Sequence, residues 1–290
     1  DTDLTTVAAL KRDAGETQES IEKEGAELSG KFKPAKRGDK INILRNLRAQ
    51  KEGLLISNYE TYLRIWQDLN PDRTDIAAMR TAFELAGSDL TKQLALAEKL
   101  YADVTNVINQ RALAYTAQWK QLTIDQGLPL EMADEQAHLL AQDATTGNIV
   151  GRMIGMQEIR TMTEELLLKT FGISSRLWAE MTTGSQETQF DLDAAFSSSN
   201  MSVENRVKLA KGIYRKIDKQ LKADSTRLFA RLATLLREKS KLGEFGITFK
   251  IHGRQAQLKS LSRSDQYKSI KEWSRSLGLE PESVPATKTS

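Results

Sequence analysis

From Leu90 to Leu122 the apolar residues return at alternating four- and three-residue steps: Leu90, Leu94, Ala97, Tyr101, Val104, Ile108, Tyr115 and Leu122, with Arg111 a polar exception. A helix turns once in 3.6 residues, so this spacing holds a single apolar stripe for about nine turns. A strand would scatter the same residues over both faces. A chain that commits so long a segment to one helix must pack other helices along it.

The rest of the sequence supplies those helices. Residues 40–69, with Asp39 as N-cap, place Ile41, Leu44, Leu55, Tyr62, Ile65 and Leu69 on one side, widened by Leu47, Leu54, Leu63 and Trp66. Asn70-Pro71 ends that helix, because proline brings no amide donor and disfavours helical geometry in the residue before it. Further helices are expected over 74–86, 130–143, 147–170 and 172–182. Residues 202–241 carry the stripe Val207, Ala210, Tyr214, Ile217, Leu221 and Leu228, and a last helix runs from Ser264 or Asp265 to Leu277, closed by Gly278. The first helix, 4–28, has only the thin stripe Val7, Leu10, Ala14, Ile21 and Leu28, interrupted by Gly15 and Gly25, and leads into a basic connector over 31–38.

Two stretches read differently. Residues 243–253 alternate Ile247, Phe249 and Ile251, which predicts a strand, and 254–261 can return as the second strand of a hairpin. Residues 183–202 are polar and aperiodic, which predicts a linker. The expected fold is therefore mainly α: an elongated helical bundle or coiled coil with a small C-terminal β-hairpin and a terminal helix. Its parts are an N-terminal helix and basic linker (1–38), the bundle (39–182), the polar linker (183–202), a basic module (203–280) and a tail (281–290).

Composition removes several functional classes. With no cysteine among 290 residues there is no disulfide framework, thiolate metal site or cysteine nucleophile. Two histidines, His138 and His252, leave most histidine-based metal sites and triads short of ligands. Glu135 and His138 have the Glu-x-x-His spacing of di-iron bundles, but those sites require a second such pair, so a local contact on one helix face is the expectation. No Gly-x-Ser-x-Gly elbow, phosphate-binding Walker loop or His-Glu-x-x-His stands in the sequence. No catalytic residue, cofactor or metal is assigned. No apolar run reaches membrane-spanning length, and the acidic, polar start does not read as a signal peptide.

Charge is the informative feature. The net charge of +3 conceals segregation. Residues 123–202 hold four bases and twelve acids, net −8, whereas residues 203–275 hold nineteen bases and seven acids, net +12. Clustered Lys and Arg bind polyanions by releasing condensed counterions, so the last third is a candidate surface for nucleic acid or another polyanion. In the alternative reading it docks on the acidic block of the same chain. Lys208, Lys211, Arg215, Lys219 and Lys222 form a cationic stripe beside the apolar one, and Lys268, Lys271 and Arg275 do the same on the last helix. Ser262, Arg263 and Ser264 would add donors at that helix's start. Gly147, Gly151 and Gly155 repeat at four-residue spacing, which predicts three bare backbones on one helix face for close helix packing or oligomerisation.

These observations lead to a non-enzymatic binding or assembly protein whose basic third contacts a polyanion, with nucleic acid foremost, and whose helices mediate protein contacts or self-association. The alternative is a secreted or injected helical effector, toxin component or virion protein that oligomerises or interacts with membranes.

Overall fold

A computed structural model of the chain describes residues 2–182, 189–239 and 243–279. Thirteen helices and no strand occur among the described residues. The chain divides into two compact units, Asp1–Tyr115 with Leu139–Ile159 and Thr116–His138 with Arg160–Ser290.

The first unit contains α1 (Thr2–Asp13), α2 (Gln18–Phe32), α3 (Arg37–Ser57), α4 (Tyr59–Leu69) and α5 (Ile76–Ala86), with parts of α6 (Leu90–Asp125), α7 (Leu130–Thr145) and α8 (Ile149–Lys169). Its core joins Leu10 of α1, Leu55 of α3, Tyr59, Tyr62, Leu63 and Trp66 of α4, Leu100, Val104 and Ile108 of α6, and Ile149, Met156 and Ile159 of α8. The four-three stripe of α6 thus faces inward, except that Leu90 stands 66% exposed at its start. Arg111, a polar residue on that stripe, donates from Nη1 to the Leu69 carbonyl at 2.8 Å, where the last carbonyls of α4 lack helical partners.

Two long helices expected from the sequence are each broken. Gly15, at φ +86°, makes the turn between α1 and α2, a conformation side chains with a Cβ rarely adopt. At the second break, Asn58 turns its side chain inward, donating Nδ2 to the Leu10 carbonyl at 3.1 Å and to the Tyr62 hydroxyl at 3.3 Å. A buried amide must find such partners, and here they lie on α1 and α4. The basic connector is shorter than expected: Lys31 and Phe32 belong to α2, and α3 begins at Arg37.

The second unit takes the remaining parts of α6, α7 and α8 and adds α9 (Phe171–Met181), α10 (Gln189–Ser197), α11 (Val203–Lys239), α12 (Glu244–Lys259) and α13 (Arg263–Ser276). Leu122, Leu167, Phe171, Trp178, Ile213, Tyr214, Ile217, Leu221, Leu228, Phe229, Leu258 and Ile270 form its core, and the Phe171 ring stacks on Phe196 at 4.0 Å. Of the linker expected over 183–202, residues 189–197 are helix α10, with Leu192 buried; residues 183–188 lie outside the described residues, as does the tail 281–290.

The C-terminal β-hairpin expected over 243–261 does not form; residues 244–259 are helix α12. The physical reason lies in the spacing of the apolar residues. Ile247, Ile251 and Leu258 stand four and seven residues apart and so share one helical face, which packs toward the interior, whereas Phe249 is left 72% exposed. A lone two-stranded hairpin is marginal without further strands, while a helix pairs its interior backbone groups within itself.

Candidate polyanion-binding surface

Helix α11 begins behind Ser202, whose hydroxyl accepts the Asn205 amide at 3.3 Å as an N-cap. Ala210, Ile213, Tyr214, Ile217, Leu221 and Leu228 are buried on one side, so α11 cannot rotate without exposing them. That fixes where its cations point.

Arg215, Lys219 and Lys222 are exposed, fall at i, i+4 and i+7 on the outer face, and have no ion pair or hydrogen bond from their side chains among the described residues. They span about 10 Å along the axis. Lys208 lies two turns before Arg215 on the same line, exposed and 2.9 Å from Glu204 of its own helix. A contact between two solvated side chains is weak and yields readily to a phosphate. Lys211 differs: it is half-buried and holds Glu164 of α8 at 2.7 Å. Burial alone would raise the Glu164 carboxyl, yet hydrogen bonds from Lys211 and Arg160 outweigh it and hold the pKa below the ordinary value. Lys211 therefore serves packing within the unit. Lys216, a neighbour not assigned from sequence, lies over the Trp178 ring at 5.4 Å.

On α13 the same sorting occurs. Arg275 is exposed and without an ion pair among the described residues, Lys268 lies 3.4 Å from Asp265 on the surface, and Lys271 rests over the Tyr267 ring at 5.0 Å. The helix start is already occupied by an anion. Ser262 accepts the Asp265 amide at 3.2 Å and donates to the Asp265 carboxylate at 2.8 Å, so those donors serve the cap.

Arg263, expected among the surface donors, is instead buried. Asp125, at the end of α6, accepts its backbone amide at 2.8 Å and its Nε at 2.6 Å; both side chains are only 4% exposed. The guanidinium covers the Tyr214 ring at 3.8 Å and reaches toward Asp218 at 3.7 Å. Loss of water on its inner side raises the Asp218 pKa, with nearby Asp125 adding to the rise and Arg263 opposing it. Burial likewise pushes the Tyr214 phenol upward. No short-range signal marks this pair, because its members are 138 residues apart.

The glycine repeat does not form a common face. Gly147 lies before α8, in the turn at φ +88°, so it is not a helical residue. Gly151 is exposed, and its amide donates to the Asn148 side chain at 2.6 Å. Gly155 alone makes a close helix approach: a Cβ there would stand 3.1 Å from Cα of Ala144 and 3.2 Å from the Asp143 carbonyl. Of the three-glycine seam expected from the spacing, only the close approach at Gly155 is present.

His138 and His252 are both exposed, and no hydrogen bond joins His138 to Glu135. No group of three metal-ligating side chains occurs among the described residues. No helix among them is long and apolar enough to cross a membrane. The chain matches no protein-family model, no curated protein and no solved structure.

Proposed function

We propose that the protein is a non-enzymatic binding or assembly protein whose second unit engages a polyanion, nucleic acid being the class that suits it best, while its first unit serves protein contacts. The observation that carries this reading is the row Arg215, Lys219 and Lys222: solvated cations on a face fixed by a buried opposite side, with no carboxylate upon them among the described residues. Lys208 extends the row along α11, and Lys268, Lys271 and Arg275 add cations on α13. Contacts of this kind position a phosphate backbone and carry no base readout, so binding is expected to be largely indifferent to sequence. The protein-contact role draws on the first unit's recess between α5 and α6, lined by Ala82, Leu85, Ala86, Ala95 and Leu96 with Lys92 beside them, and with Leu85 itself 81% exposed.

The test is fluorescence anisotropy with labelled duplex DNA over a salt series. Binding should weaken linearly in log–log terms as salt rises. The triple substitution Arg215→Ala, Lys219→Ala, Lys222→Ala should reduce the magnitude of that slope by about 2 to 3, since each lost phosphate contact removes about 0.9. Absence of salt-sensitive binding near physiological ionic strength sinks the proposal.

A further inference from the structure

Helix α12 buries Ile247 and Leu258 and leaves two large rings in water on the opposite side: Phe245 is 86% exposed and Phe249 72%. Phenylalanine has no polar handle, and neither ring touches another ring or a cation among the described residues. The two stand at i and i+4, where neighbouring Cβ atoms lie about 5–6 Å apart on a helix surface. Two cations share the helix, Lys250 one residue beyond Phe249 and Lys259 ten residues beyond it. Lys250 and Lys259 are exposed and without an ion pair among the described residues, and the one acid of α12, Glu244, is gripped by Arg237 through Nε at 2.8 Å and Nη2 at 3.2 Å.

We infer that Phe245 and Phe249 are stacking platforms for the bases of single-stranded nucleic acid, with Lys250 and Lys259 taking phosphates of the same strand. The inference rests on the polyanion reading of the second unit and narrows it to one ligand class. Aromatic rings beside cations are what sequence-tolerant single-strand binding requires, because every base presents a π-face and every linkage a phosphate. A lipid surface suits the face less well. An interfacial helix sinks a broad apolar side into the acyl boundary, but the broad side of α12 is already packed, and the outer strip is interrupted by Thr248, His252 and Gly253.

The experiment compares binding of the full chain to a labelled oligothymidylate and to duplex DNA, with phosphatidylserine vesicles as a further arm. Two double variants are used, Phe245→Ala/Phe249→Ala and Phe245→Leu/Phe249→Leu; both replace exposed side chains, and circular dichroism checks that helicity is kept. The expected result is that both variants lose at least about tenfold in affinity for the single strand while duplex binding and its salt slope stay unchanged. Wild-type affinity for the single strand in either double variant overturns the inference and leaves the polyanion reading intact. Failure of the unmodified protein to bind either nucleic acid overturns both. Vesicle binding that the leucine variant keeps and the alanine variant loses, without single-strand binding, assigns the rings to a membrane surface and overturns the inference.

Discussion

At the scale of single residues, the molecule sorts its charges by whether a partner lies within reach. Arg263 has two: removing its side chain leaves Asp125 enclosed with an unpaired charge, so Arg263→Ala should cost about 3–5 kcal/mol, read as a fall in the urea midpoint at constant m-value. Lys211 and Lys219 are chemically identical and structurally opposite. Lys211→Ala should lower stability by about 1 kcal/mol at neutral pH, discounted for partial exposure, and should affect polyanion binding less than Lys219→Ala. The sign with pH follows from Glu164, whose folded pKa is depressed: its stabilisation is present above the ordinary glutamate value, is lost as pH falls through the folded value, and should be smaller in the variant, where Arg160 alone remains on the carboxylate. Asp13 behaves inversely. Burial raises its pKa, although the Ile149 amide and the Tyr62 hydroxyl donate to it and Arg152 faces it. The folded state therefore holds that proton more tightly, and stability falls as pH rises from the ordinary aspartate value through the raised one. Denaturation midpoints over acid pH should show that fall in the wild type relative to Asp13→Asn, and parallel curves would refute the assignment.

At the scale of elements, periodicity located most helices, while their interruptions came from elsewhere. The four-three spacing fixed α6, and the buried stripe of α11 followed the sequence pattern from Ala210 to Leu228. The helix expected over 40–69 contains no Gly-Pro punctuation at its break, since Asn58 turns the chain by bonding to a carbonyl 48 residues away. Alternation misled at 247–251, where apolar residues two apart fit a strand equally well until the helical partners at 258 and on α11 are considered. Glycines test this level directly. Gly155→Ala should destabilise by about 1–3 kcal/mol, because its Cβ would meet the backbone of α7, which cannot swing aside. Gly212→Ala, in the middle of α11 with nothing within 4 Å, should instead raise stability by about 0.5–1 kcal/mol. Thermal unfolding of the two variants checks both signs.

At the scale of the whole molecule, charge segregation along the chain is the property on which the proposed function turns. Local partners reduced the basic block without cancelling it: Glu164 and Asp125 take Lys211 and Arg263, while Arg215, Lys219, Lys222 and Arg275 keep no carboxylate among the described residues. Raising salt should therefore weaken nucleic-acid binding with little effect on folding, because the unpaired cations are solvated and the enclosed pairs are poorly screened. A folding midpoint that moves with salt in parallel with affinity would contradict that separation. Sequence by itself determined the helical class, the inward stripes of α6 and α11 and the outward direction of Arg215, Lys219 and Lys222, since all three follow from the 3.6-residue turn and the exclusion of apolar surface from water, whereas Ile41 and Leu44, read as part of a packed face, stand exposed. Only the tertiary structure decided which cations are consumed, that the chain breaks at Asn58 and that 244–259 is a helix. Those outcomes depend on groups brought together from distant parts of the chain, and spacing along a sequence carries no record of such encounters.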